Sequence, residues 1–137
     1  MKVQGEFTVA HWDQEPVEGF PEQMSVARAS VVYEASGEIA GKLTVEYLMY
    51  CADVGTEGTQ DEGAPTTYVG FMLFEGSLGE QTGSFALIDR GAYADFTPAS
   101  DLSIESDSGA GDLAGITGTG RYYARDDKMI IELDYEL

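Results

Sequence analysis

The sequence has one cysteine, one histidine and no apolar run long enough to cross a bilayer. Cys51 has no second thiol with which to form a disulfide in the chain, so an oxidising compartment gains no support. His11, as the lone histidine, excludes a metal site built from several histidines and leaves a histidine-based triad unsupported. The first residues alternate in polarity and lack the continuous apolar run of a signal peptide. We therefore expect a soluble, cytoplasmic protein with no metal, no cofactor and no membrane contact.

Basic residues are also scarce. Seven Lys and Arg residues stand against 25 Asp and Glu residues, which gives the chain a formal charge of −18. Such a charge repels the phosphates of nucleic acids and the anionic headgroups of lipids, so we expect no nucleic-acid partner. The excess of acid predicts an acidic, well-solvated surface and does not by itself indicate a function.

Two segments with a strong preference for the strand conformation stand at the centre of the sequence. Residues 42–51 and 66–75 consist mostly of β-branched and aromatic side chains, with Gly41 before the first and Gly76 after the second. This composition is typical of strands rather than helices. We predict that the two segments pair with each other at the centre of a sheet.

Alternate residues of the segment 42–51 form two apolar faces. One face carries the odd-numbered side chains Leu43, Val45, Tyr47 and Met49. The opposite face is apolar as well, because Leu48 and Tyr50 lie on it around a single Glu46. An error of one residue in register would exchange the inside for the outside, so the sequence does not determine which face of this strand points inward.

The remaining chain divides into short strands at even spacing. Eight strands are predicted: residues 3–12, 25–36, 42–51, 66–75, 84–94, 101–106, 117–125 and 128–137. The predicted connections include 13–23, 52–65, 95–100 and 107–115, and the last of these could hold one helical turn around Leu113. Such spacing predicts a single all-β domain over residues 1–137, an eight-stranded antiparallel up-and-down barrel. Closure removes two exposed sheet edges and leaves an interior wide enough to be filled by side chains or to hold one small ligand.

Glu46 is the sharpest candidate for acid–base chemistry. It is the single carboxylate of an otherwise apolar strand, and burial would raise its pKa toward the range of a general acid or base. The alternative is that Glu46 points to solvent or pairs with Arg28 or Arg121 across the sheet.

Aromatic side chains on the central strands offer a second kind of site. Tyr47, Tyr68 and Tyr122 could line an apolar cavity and supply hydroxyl groups at its wall. The same residue types also serve as plain core, and aromatic side chains on two apolar faces can form a subunit interface. The candidate ligand-binding residues are therefore Arg28, Glu46, Tyr47, Tyr68, Phe74 and Tyr122, with Glu46 also as the catalytic candidate.

Six stretches together resemble a known family. They are residues 3–16, 27–31, 44–50, 68–85, 111–120 and 132–137, which contain among others the runs ARASV, TVEYLMY and LDYEL. The chain resembles a family of small bacterial proteins of unknown function whose fold is similar to the barrel of plant allene oxide cyclase. This resemblance implies an eight-stranded antiparallel barrel that self-associates, and it brings no established activity. The chain departs from the family pattern at 72–73, where Met-Leu replaces a frequent Glu-Arg pair, and at 88–89, where Ile-Asp replaces Gln-His.

Three functional hypotheses follow. The first is a barrel that binds a small, mainly apolar ligand in its interior. The second is an isomerase or cyclase acting on an apolar substrate; it rests on the likeness of fold and requires Glu46 to point inward. The third is a self-associating homo-oligomeric scaffold, which requires a dry, packed interior.

Overall fold

The computed structural model describes residues 1–21, 25–51, 66–94 and 97–137. These ranges form nine strands: β1 (Lys2–Pro16), β2 (Ser25–Gly37), β3 (Ile39–Cys51), β4 (Thr66–Leu78), β5 (Gln81–Ala94), β6 (Thr97–Ile104), β7 (Ala110–Gly111), β8 (Thr117–Arg125) and β9 (Lys128–Glu136). Within the same ranges there is no helix of the length and hydropathy needed to cross a bilayer.

The eight long strands close into an antiparallel barrel. Each pairs with the next long strand in the chain, and β1 completes the ring by pairing with β9 over Lys2↔Asp134 to Phe7↔Met129. The two-residue β7 adds to the edge of β5 at Gly83 and Ser84. The predicted fold class, an all-β eight-stranded antiparallel barrel, is thus confirmed, with β7 as one extra strand.

Three predicted connections are strands in part, and one of them is 107–115, which contains β7. The prediction of a connection from residue 13 is wrong for residues 13–16, because β1 continues to Pro16, opposite Ala27 of β2. The predicted turn at 95–100 is wrong from Thr97 onward, since β6 already begins there. Pro98 lies in this strand opposite Tyr93 of β5, and the ladder between β6 and β8 starts only at Ala99. The predicted loop at 52–65 lies outside the described residues.

Tight turns join the strands at both ends of the barrel. Asp126 and Asp127 connect β8 to β9 with φ of 51° and 63°, the pair of positive angles that a type I′ hairpin turn requires. From β7 onward three backbone N–H groups donate to the carbonyl three residues earlier, Leu113 to Ala110, Ala114 to Gly111 and Ile116 to Leu113, so successive tight turns stand where one helical turn had been predicted. The side chains of Leu113 and Ile116 are completely buried, and they plug this end of the barrel.

The structure settles which face of the central strands is inside. On β3 the odd-numbered side chains point inward, and Val45 and Tyr47 have 0 % and 4 % of their surface exposed. Leu48 and Tyr50 lie on the outer face, as does Phe71 on β4, which is 65 % exposed. Both faces of β3 and β4 are apolar, but only the odd positions of β3 and the even positions of β4 belong to the core.

The plugged half of the barrel is a packed apolar core. Phe74 and Phe85 meet there with ring centroids 5.1 Å apart, and neither has any exposed surface. The aliphatic side chains around them are also fully or almost fully buried: Ile39, Leu43, Leu78, Leu87, Leu113 and Ile116. Burial of these side chains stabilises the barrel, so the other half does not need to be closely packed.

The opposite directions of Phe71 and Phe74 on one strand allow a direct test of this register. Phe74→Ala removes a fully buried ring and should lower the free energy of unfolding by about 3–5 kcal/mol. Phe71→Ala removes a ring that is exposed in the single chain and, at protein concentrations low enough to keep the chain monomeric, should change the free energy of unfolding by less than about 0.5 kcal/mol. Urea denaturation of both variants checks this. Equal losses of stability, or the reverse order, would show that the inward face of β4 has been misassigned.

Candidate functional site

The half of the barrel opposite the plug contains a cavity of about 480 Å³. Its lining includes seven aromatic side chains: Phe7, Trp12, Tyr33, Tyr47, Tyr68, Tyr93 and Tyr122. The other lining residues are Val9, Gln14, Met49, Thr66, Pro98 and Met129, and none of the lining residues in the described part of the chain carries a formal charge. The volume falls in the range of about 300–1,000 Å³ that is usual for small-molecule sites.

Exposure rises along the cavity from its floor to its mouth. Tyr47 and Tyr122 at the floor have only 4 % of their surface exposed, whereas Trp12 and Val9 near the open end have 46 % and 55 % exposed. Trp12 donates a hydrogen bond from Nε1 to Oε1 of Gln14 at 3.1 Å, which satisfies its one polar group beside the apolar lining. The cavity is therefore open at one end and closed at the other.

Four tyrosines bring their hydroxyl groups together at the cavity floor. We call Tyr33, Tyr47, Tyr68 and Tyr122 the tyrosine cluster. The hydroxyl oxygen of Tyr47 lies 3.2 Å from those of both Tyr33 and Tyr122, and Tyr122 donates to Tyr68 at 2.9 Å. These residues come from β2, β3, β4 and β8, so the cluster ties together strands on different sides of the barrel.

The cluster is anchored to two further polar residues. The Tyr47 hydroxyl donates to Oδ2 of Asp89 on β5 at 2.6 Å. The Tyr68 hydroxyl lies 2.6 Å from Oγ of Ser100 on β6. Gly91, next to Asp89 on the same face of β5, makes room for this second pair, because a Cβ there would lie 2.6 Å from the Tyr68 hydroxyl. Gly70 on β4 similarly makes room for the ring of Tyr47, whose Cδ1 would lie 2.8 Å from an added Cβ.

Asp89 is the acid buried at the centre of this arrangement. It has no exposed surface, and its Oδ1 accepts no hydrogen bond from the described residues. Burial raises the pKa of Asp89 to about 6, although the nearby hydroxyl groups of Tyr47, Ser100 and Tyr122 act in the opposite direction. No cationic side chain is buried in the described barrel to compensate the charge.

The tyrosines hold their protons at neutral pH. Burial raises the pKa of Tyr33 to about 12, and the Tyr47 hydrogen bond lowers it only in part. Burial raises the pKa of Tyr47 and Tyr122 far above the ordinary tyrosine value, and the neighbouring Asp89 raises both further. Burial also raises the pKa of Tyr68. The cluster is therefore a set of neutral hydroxyl groups beside one titratable carboxyl group.

The structure brings together three of the predicted site residues and separates the other three. Tyr47, Tyr68 and Tyr122 share the cavity floor, as described above. Phe74 packs against Phe85 in the plugged half and does not line the cavity.

Arg28 and Glu46 lie on the outer face of the barrel, because even-numbered residues of β2 and β3 point away from the core. The Glu46 carboxylate is exposed and accepts from Ser30 Oγ at 2.7 and 2.8 Å. Arg28 pairs with Glu15 at 3.9 Å. Arg121, the other partner considered for Glu46, pairs with Glu132 at 2.9 Å.

Sequence reasoning missed Tyr33, Asp89 and Ser100 as parts of a site. The usable signal was at Asp89, which alternates with Phe85 and Leu87 on one face of its strand. An acid at an inward position of an apolar face has to be paired or neutral, and it therefore points to a polar site inside the barrel. Tyr33 and Ser100 carry no such signal, since either could equally face solvent. In the described part of the chain, no three His, Cys, Asp or Glu side chains cluster as a metal site would require.

Comparisons with known proteins agree with the fold. A family model described as "Protein of unknown function (DUF3224)" matches residues 3–135. A crystal structure of a DUF3224 protein of unknown function from Shewanella oneidensis MR-1 superposes with a TM-score of 0.74, at 23 % sequence identity. That alignment covers 100 % of this chain and 97 % of the Shewanella chain. No curated protein matches the sequence.

The raised pKa of Asp89 predicts a specific pH dependence of stability. The native carboxyl group binds its proton up to about pH 6, whereas an ordinary aspartate loses it near 3.8. The native state therefore loses stability relative to the unfolded state as the pH rises through this window, by about 2–3 kcal/mol in total. Asp89→Asn removes this loss. The unfolding free energy of Asp89→Asn, taken relative to that of the wild type, should therefore be about 2–3 kcal/mol higher at pH 7.5 than at pH 4.

Denaturant unfolding at both pH values measures this difference. Asp127→Asn is the matched control, because Asp127 is exposed in the β8–β9 turn at a positive φ that asparagine also tolerates. Its difference from the wild type should stay the same at the two pH values. If the unfolding free energy of Asp89→Asn relative to the wild type were also the same at the two pH values, the raised pKa of Asp89 would be contradicted.

Proposed function

The chain belongs to the DUF3224 family, and we propose that this member binds a small, mainly apolar ligand in the open half of its barrel. The observation that carries the proposal is the cavity itself, about 480 Å³ with an aromatic wall and a floor of hydroxyl groups. A barrel stabilised only by close packing would have filled this space, because interiors of proteins pack as densely as organic crystals.

The lining defines the shape of a suitable ligand. Its long part should be apolar, since Met49, Met129 and the aromatic rings offer apolar surface along the whole depth of the cavity. A ligand that buries about 200 Å² of apolar surface would gain about 5 kcal/mol from the hydrophobic effect, before the cost of association. The inner end should be polar, because it meets the hydroxyl groups of the tyrosine cluster.

Binding can be followed through Trp12, which is the single tryptophan of the sequence and lies in the lining. A ligand in the cavity should change the emission of Trp12 and protect it from quenching by acrylamide. We expect a saturable change with one ligand per chain when the protein is titrated with medium-chain apolar compounds. Native mass spectrometry of protein from its own host checks the stoichiometry and identifies any bound molecule. Failure to bind any member of a broad apolar compound set would contradict the proposal.

Neighbouring residues of β3 provide matched variants. Met49 lines the cavity, whereas Leu48 lies on the outer face beside it. Met49→Gln places an amide in the apolar wall and should weaken binding about tenfold. Leu48→Gln should change the affinity by less than about twofold.

Leu48 also contributes to a shallow apolar groove on the outside of β3 and β4. Met49 borders this groove as well, so it is a loss of affinity in Leu48→Gln that would place the ligand in the groove and not in the barrel. The position of Glu46 excludes it from acting on a ligand in the cavity, so catalysis by Glu46 forms no part of the proposal.

Self-association is a second candidate, favoured by the apolar outer face of β3 and β4. Five large apolar side chains are exposed there at 39–65 %: Leu48, Tyr50, Val69, Phe71 and Leu73. A patch of this kind is typical of contacts between subunits. In sedimentation experiments the wild type should form a homo-oligomer, and Phe71→Ser should shift it toward the monomer. The control is Leu137→Ser, which removes a comparably exposed side chain at the end of the chain and should leave the mass unchanged.

A further inference from the structure

We propose that the inner end of the ligand is a cationic amine, which the tyrosine cluster binds with Asp89 as its counter-ion. This inference rests on the proposed function, since it names the chemical class of the ligand for the same cavity. Three features of the site lead to it: the directions of the hydroxyl protons, the aromatic wall, and a buried carboxylate without a cationic partner among the described residues.

Two hydroxyl protons of the cluster, those of Tyr47 and Tyr33, lie in a chain of hydrogen bonds that ends at Asp89. An ionised carboxylate can only accept, so the 2.6 Å bond uses the single proton of Tyr47. The Tyr47 oxygen can then only accept from its neighbours, and Tyr33 at 3.2 Å must donate to it. Tyr122 spends its proton on Tyr68 at 2.9 Å. The floor therefore presents oxygen lone pairs to the cavity, and it favours a ligand that donates hydrogen bonds.

Tyr33 is the most available of these acceptors. Its hydroxyl lies 3.2 Å from that of Tyr47, to which it gives its proton. Its oxygen can still accept from a donor in the cavity, where the Tyr33 side chain forms part of the lining. An ammonium group carries up to three N–H donors and no acceptor, which complements such a floor.

The aromatic wall favours a positive charge in the same place. The seven aromatic side chains around the cavity have electron-rich faces, which attract cations within about 6 Å of the ring centroid. Tyr47 and Tyr68 meet edge to face with centroids 5.1 Å apart, and Phe7 meets Tyr33 in the same way at 5.0 Å. No Lys, Arg or His belongs to the lining within the described ranges, so no protein cation competes for these rings.

Asp89 supplies the negative charge, and the hydroxyl group of Tyr47 lies between its carboxylate and the cavity. A donor nitrogen bound to the Tyr47 oxygen at about 2.9 Å would lie about 5 Å from the Asp89 carboxylate, within range of direct charge attraction in a buried site. The same carboxylate would repel an anionic head, such as that of a fatty acid. The formal charge of −18 also concentrates cations around the molecule and repels anions.

The experiment compares three probes with the same chain and different heads: n-octylamine, 1-octanol and octanoate. At pH 7.5 these carry a positive, a neutral and a negative head, and Trp12 emission reports their binding. We expect octylammonium to bind with one site per chain and at least about tenfold more tightly than octanol, and octanoate to bind least tightly. Measurements in 0.3 M NaCl suppress loose attraction of the amine to the acidic surface.

Two variants locate the origin of the preference. Asp89→Asn should reduce the preference for octylammonium over octanol to within about twofold. Asp127→Asn removes an exposed acid and should keep the full preference. An unchanged preference in Asp89→Asn would overturn the role of Asp89.

The pH gives a test on the unaltered chain. Octylammonium stays charged at pH 5, whereas most Asp89 is protonated there, so its preference over octanol should fall. The polar groups that face Asp89 are the hydroxyls of the tyrosine cluster and Ser100, and none of them titrates between pH 5 and pH 7.5. A preference that is the same at both pH values would count against Asp89 as the counter-ion.

The outcomes separate this inference from the proposed function. Equal binding of all three probes, or tighter binding of octanoate, would overturn the amine and leave an apolar-ligand barrel. Absence of binding by all three probes, with the Trp12 signal unchanged, would overturn both.

Discussion

Closure of the sheet is the constraint on which the rest of this structure depends. Once β9 pairs with β1, each of the eight long strands in the described chain has two neighbours, and none of them leaves a long edge unpaired. Closure also forces alternate side chains of all eight long strands into one interior, so a polar residue at any inward position must find its partners there. Asp89 is such a residue. In this barrel Asp89 accepts a hydrogen bond from Tyr47, and the Tyr47 hydroxyl in turn contacts those of Tyr33 and Tyr122.

The interior is divided between stability and binding. In the plugged half Phe74, Phe85 and their aliphatic neighbours fill the space and provide the apolar burial that holds the domain together. In the open half the tyrosine cluster forms a polar layer below a cavity. A buried carboxylate whose Oδ1 accepts no hydrogen bond from the described residues opposes folding above its pKa, and an apolar residue of similar size would not. A barrel that needed only stability would not keep such a group, which is why we connect it with a ligand.

Much of the fold was predictable from particular segments. The strict alternation of β9 and the aromatic and β-branched runs of β3 and β4 indicate strands, and even spacing with paired termini indicates a closed barrel. The candidate site was predictable only in part. Tyr47, Tyr68 and Tyr122 are where an apolar cavity would need them, but Glu46 drew attention to a carboxylate that faces solvent. The cause is the apolar outer face of β3, which makes the two faces of that strand indistinguishable by composition.

The sequence by itself determined the class of the protein, because hydrophobic periodicity, glycine placement and charge are local or summed properties of the chain. It also determined that Asp89 would lie on the same face of its strand as Phe85 and Leu87. Only the tertiary structure decided which face is inside and which side chains meet. The hydroxyl groups of Tyr47 and Tyr122, 75 residues apart in the chain, come within 3.2 Å because barrel closure and register bring β3 and β8 across from each other. Register is a property of paired strands, and no single strand contains it.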